Sequence, residues 1–114
     1  MSGHSSLSPE RWARFSSEQQ ILMIANEMER GRADLRADRG AARRLCYARV
    51  LDLVDLTLQG QPTPGMRREL LHWRGVFAGL DAAPDADKST HELALRVLLE
   101  LTGGSAAQVP LLGL

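Results

Sequence analysis

Apolar residues recur at intervals of three and four along almost the whole chain, the spacing that places side chains on one face of an α-helix. The first long stripe is Ile21, Ile24, Ala25, Met28 and Leu35, with Gly31 and Arg32 in its gap. A second segment, Ala41 to Gln59, is nearly solid: Leu45, Cys46, Tyr47, Val50, Leu51, Leu53, Val54, Leu56, Leu58. Its stretch "VLDLVDLTL" alternates as a strand would, but its length and its Ala- and Arg-rich lead predict a helix. Ala48, Asp52, Asp55 and Gln59 then form one narrow polar strip. The third segment has the most regular series, Met66, Leu70, Trp73, Phe77 and Leu80, and a last helix is expected from Leu93 to Leu101.

Turn and cap residues separate these segments. Ser8-Pro9 fits a cap with proline at the first helical position, opening a short lid helix with Trp12 and Phe15. Ser16 or Ser17, followed three residues later by Gln19 or Gln20, has the capping-box layout, and "ADRG" ending in Gly40 is read as the break. "GQPTPG" is a connection, with Thr63 as cap and Pro64 as first helical residue. "DAAPDAD" ends the third helix, Ser89 to Glu92 is read as a second capping box, and Gly103-Gly104 as a stop. The expected fold is all-α, an antiparallel up-down four-helix bundle with a short N-terminal helix. Residues 1–8 are expected to be a disordered N-terminus, 9–104 a single bundle domain, and 105–114 an apolar tail carrying Val109, Leu111, Leu112 and Leu114.

The arcs are wider than a monomeric bundle needs. Around Val50 and Leu98 the apolar surface exceeds the ~100° stripe that such helices usually hide, so something beyond the four helices must cover the rest. The lid helix, the tail and a two-fold partner are the available covers. That surplus sets the leading functional expectation: a non-enzymatic bundle that self-associates as a homodimer or binds another protein, as an adaptor or small chaperone does.

Composition narrows the classes. A chain of 114 residues fits one domain, and its single cysteine, Cys46, excludes an internal disulfide framework and a CxxC zinc cluster. No apolar run approaches the ~20 residues of a membrane span, and "MSGHSSLSPE" lacks the basic-then-apolar layout of an export signal, so a cytoplasmic protein is expected. Formal charge is zero, yet residues 30–49 carry seven arginines against Asp34 and Asp38, while 81–100 is acidic. Arg32, Arg36, Arg39 and Arg43 are the candidate anion-binding set. Aromatic residues for stacking bases are missing beside them except Tyr47, so phosphate contact is conceivable and base reading is not indicated.

Two features lie on the third helix. Gly75 and Gly79 each cost a helix interior about 1 kcal/mol relative to alanine and share a face with Arg68 and His72, which makes Arg68, Gly75 and Gly79, together with Leu111 and Leu112 of the tail, the candidate interface. The Arg67-x4-His72 spacing resembles that of the HEPN class of helical ribonucleases, in which arginine and histidine act on a phosphodiester. The asparagine that commonly follows the arginine there is Arg68 here, and thirteen of the fourteen basic residues are arginine, so composition alone supplies such spacings. An RNA-directed nuclease, or its inactive relative, using Arg67 and His72 is the alternative function. Asp52 with Asp55, and His91 with Glu92, lack the second pair that a metal site in a bundle requires, and no cofactor is implied.

Overall fold

Six α-helices follow one another: α1 (Pro9–Trp12), α2 (Ser17–Arg36), α3 (Gly40–Gln59), α4 (Pro64–Ala82), α5 (Lys88–Leu99) and α6 (Gly103–Ala106), with a 3₁₀ turn at Pro110–Leu112. The computed structural model describes residues 7–36, 40–60, 62–82 and 88–114, with the backbone alone at 33–36, 40–42, 81–82 and 88. No strand occurs among the described residues, and "VLDLVDLTL" is helical throughout. None of the described helices is long and apolar enough to cross a membrane.

Caps start the helices where the side chains allow. The Ser8 hydroxyl accepts from the Arg11 N–H, with Pro9 in the first turn. Ser16 and Gln19 form the reciprocal box: Gln19 N–H donates to Ser16 Oγ (3.1 Å) and Ser16 N–H to Gln19 Oε1 (2.8 Å). Thr63 Oγ1 accepts from the Met66 N–H at the head of α4.

Three boundaries differ from expectation. Gly40 opens α3 rather than breaking the chain, and 37–39 lie outside the described residues. Ser89 is inside the first turn of α5, because the helix begins at Lys88, so it is no cap; Glu92 extends sideways to Arg32 instead of back to Ser89. Gly103-Gly104 starts a helix rather than stopping one. Thr102, extended at φ −129°, accepts from the Ser105 N–H (3.1 Å) and caps α6, while Ser105 Oγ donates to the Leu99 carbonyl at the end of α5.

Consecutive long helices pack side by side, and α5 returns against α2 to close the ring α2–α3–α4–α5. Polar contacts show the antiparallel register of α3 and α4 directly: Arg67 donates to the Leu58 carbonyl, Arg74 pairs with Asp55, and Arg43 donates to the Leu80 carbonyl. Inside the ring, Ile21, Ile24, Met28, Val50, Val54, Leu70, Phe77, Leu95, Leu98 and Leu99 are buried. Tyr47 stacks on Phe77, and Phe77 on Trp73.

The surplus on α3 is covered by α1. Trp12 is fully buried against it, and its indole N–H donates to Thr57 Oγ1 (2.9 Å), whose own hydroxyl donates to the Leu53 carbonyl. Gln20 holds the Trp12 carbonyl from α2. Gly31 fills the gap in the α2 stripe for a steric reason: a Cβ there would come within 2.6 Å of Cys46 Sγ, so a glycine lets α2 and α3 approach.

Candidate functional site

Two places on this bundle combine unusual chemistry with an identifiable geometry, the polar seam between α2 and α5 and the groove between α4 and α5.

In the seam, His91 follows from the α5 stripe. Spaced with Ala94, Leu95 and Leu98, it lies on the buried side and is fully shielded from solvent. Its Nε2 donates to the Met28 carbonyl (2.8 Å), which can only accept; Nδ1 therefore accepts from the Tyr47 hydroxyl (2.8 Å) and the ring is neutral. Burial pushes the His91 pKa below its ordinary value; Arg32 adds to this, while the Met28 bond and the carboxylates of Glu29 and Glu92 oppose it. Arg32 bridges Glu29 (2.8 Å) and Glu92 (3.4 Å) and donates to the Leu112 carbonyl (3.2 Å). Burial pulls its pKa down, but the two carboxylates outweigh that and raise it. The seam thus fastens three segments, α2, α5 and the tail. With both ring nitrogens of His91 engaged, it has no geometry for acid–base work on an outside molecule.

This settles the surroundings of several residues singled out in the sequence. Arg32 is held by two carboxylates and a carbonyl, and Arg43 donates to Leu80 with its guanidinium 4.9 Å above the Tyr47 ring. The side chains of Arg36 and Arg39 lie outside the described residues. The tail packs on its own bundle: Val109, Leu112 and Leu114 lean on the core, and Leu111 is 74% exposed. Among the described residues no three His, Cys, Asp or Glu side chains converge as metal ligands.

The groove is open. α4 and α5 are pinned together where the Trp73 indole N–H donates to the Ala94 carbonyl (2.9 Å), and above that floor lies a trough of about 720 Å³. Val76, Leu93 and Val97 stand in it at 52%, 61% and 45% exposure, on a helical i, i+3/i+4 course along each wall. Leu80 and Thr90 close one end. At the other stand Arg68, Glu69 and His72 on α4 and Glu100 on α5, where Glu100 also pairs with Arg96 (3.1 Å).

Of the candidates on α4, Arg68 and His72 line this groove. Gly79 falls beside His72 on the same side of the helix, and Gly75 lies at the outer margin; a Cβ at either would meet nothing within 4 Å, so neither glycine is required by packing within the chain. Leu111 and Leu112 belong elsewhere, on the tail held by α2, which is diagonal to α4 in the ring. Arg67 and His72 are not brought together: five residues is ~140° around a helix, and Arg67 turns to the Leu58 carbonyl while His72 opens on the groove. Sequence reasoning passed over Val76, Leu93 and Val97 as ordinary helical apolar positions. The signal was there in the width of the α5 arc, but which part of it remained open depended on where α4 lies.

Comparison with protein-family models, with curated proteins and with solved structures finds no match.

Proposed function

We propose that this chain is a non-enzymatic protein-binding module whose working surface is the α4–α5 groove. One observation carries the reading: Val76, Leu93 and Val97 form a contiguous apolar row left in solvent after the core has closed, over a floor made by Trp73 and Ala94. Contiguous exposed apolar surface framed by charged residues is the signature of a site where another protein lies down, and a trough between two helices suits a helical occupant. The alternative, an RNA-directed nuclease using Arg67 and His72, finds less support in the geometry, since the two side chains diverge around α4 and a single subunit builds no cleft over them.

Site-specific photo-cross-linking in cells tests the proposal. A benzophenone side chain replacing Val97 should give a discrete protein adduct, whereas the same group replacing Asp52, exposed on the polar strip of α3, should give none. Equal adducts from both positions, or none from Val97, would refute it.

A further inference from the structure

We infer that the occupant of the groove is a second copy of this chain, related by a two-fold axis that runs along the groove. The inference rests on the groove being a protein-binding site and adds what fills it.

Charge at the ends selects the occupant. All the charged groups of the groove stand at one end, and both signs are present there: Arg68 and His72 on the α4 wall, Glu100 on the α5 wall, and Glu69 beside them. An anionic amphiphile laid in the apolar trough would bring its head group to Glu69 and Glu100. A cationic helix would meet Arg68 and His72. A second copy supplies both signs in mirrored lateral order, as an isologous interface requires.

Charge also selects the axis. Rotation about a line across the groove would bring the charged end of one copy over Leu80 and Thr90 of the other, opposing ions to apolar surface. Rotation about the groove's own length keeps like ends together and exchanges the walls. The α4 wall of each copy then lies over the α5 wall of the other, so that Arg68 and His72 face Glu100 of the second copy, twice by symmetry. Val76, Leu93 and Val97 from both copies close on one another between those polar ends. Gly79 sits on the α4 wall where the second copy's helix arrives, and the space beside it is open. Lacking a Cβ there, α4 can be approached closely, which gives a use to a residue that is costly in a helix and unneeded within one subunit.

Sedimentation velocity of the purified full chain, with a charge-swap set, tests this. Wild type should be a dimer. Val97→Asp should be monomeric with unchanged helical circular dichroism. Arg68→Glu and Glu100→Arg should each weaken the dimer by about tenfold, and the double variant Arg68→Glu/Glu100→Arg should recover most of that loss, because the swap restores opposite signs across the interface. A dimer indifferent to Val97→Asp, or single losses that the swap does not recover, would overturn the inference. A monomeric wild type whose Val97 photo-adduct contains a different protein would overturn the second copy while leaving the groove a protein site. A monomer without any protein adduct, including one that copurifies with a lipid, would remove both.

Discussion

On its inner side α5 meets α2 and α3 through His91, Ala94, Leu95, Leu98 and Leu99, all buried, and every hydrogen-bonding atom of the histidine ring has a partner. On its outer side the same helix presents Leu93 and Val97 to solvent opposite Val76 of α4. The inner seam places polar groups in the interior and satisfies them; the outer groove leaves apolar groups in water and does not cover them. Each runs against the ordinary sorting of side chains, with different consequences. A satisfied buried polar contact specifies which helices sit together, because any other arrangement leaves its donors and acceptors unpaired. Uncovered apolar surface contributes nothing to the isolated fold and stores its free energy for association. Substitutions in the seam should therefore act on stability, and substitutions in the groove on assembly.

The largest effect is expected at His91. His91→Leu keeps the apolar volume but strands the Tyr47 hydroxyl, and should destabilise by about 2–4 kcal/mol in urea unfolding. Wild-type stability should also depend on pH through this residue. Its folded pKa lies below the 6.5 of an unperturbed histidine, so the unfolded chain takes up the proton first. The contribution is fully present above pH 6.5 and is lost as pH falls below it, towards the folded value. The fall in urea midpoint on acidification just below pH 6.5 should be smaller in His91→Leu; an identical profile would show that the seam is not pH-sensitive through His91.

Truncation after Gly104 should come next, at about 2 kcal/mol or more and visible as a lower Tm, because it removes Ser105, the Leu112 carbonyl that Arg32 holds, and the packed side chains of Val109, Leu112 and Leu114. An unchanged Tm would mean that the tail adds nothing to the seam. Gly31→Ala should cost about 1–3 kcal/mol through its collision with Cys46 Sγ, and much less in a Cys46→Ala background; equal costs in the two backgrounds would remove the sulfur contact as the cause. The smallest effect has the opposite sign. Gly79→Ala meets nothing within 4 Å and should stabilise the isolated subunit by about 1 kcal/mol while weakening its self-association, a split that a purely structural glycine would not show.

Much of the fold was legible in the residues themselves. Local signals depend on few neighbours, and those placed correctly here, such as the Ser8-Pro9 start, the Ser16/Gln19 box and the Thr63-Pro64 start, are of that kind. The stripe on α2 and the series Leu70, Trp73, Phe77 became core for the same reason. The readings that failed depended on competition. Ser89 has a capping sequence, but the helix already began at Lys88 and Glu92 had Arg32 to pair with. Gly103-Gly104 would have ended a helix had Thr102 not been placed to start another. His91 looked like an incomplete metal ligand because its two actual partners, Tyr47 and the Met28 carbonyl, are 44 and 63 residues away in the chain.

Helical class, element order and the surplus of apolar surface were therefore determined by the sequence alone, since periodicity and capping act over a few residues. Only the tertiary structure decided which part of that surplus stays open. The arc on α3 and the arc on α5 read alike as strings of letters, and they differ because Trp12 folds down beside Thr57 on one while nothing in the chain lies across Val76, Leu93 and Val97 on the other. Coverage depends on the positions of all the helices at once, and no local pattern encodes it.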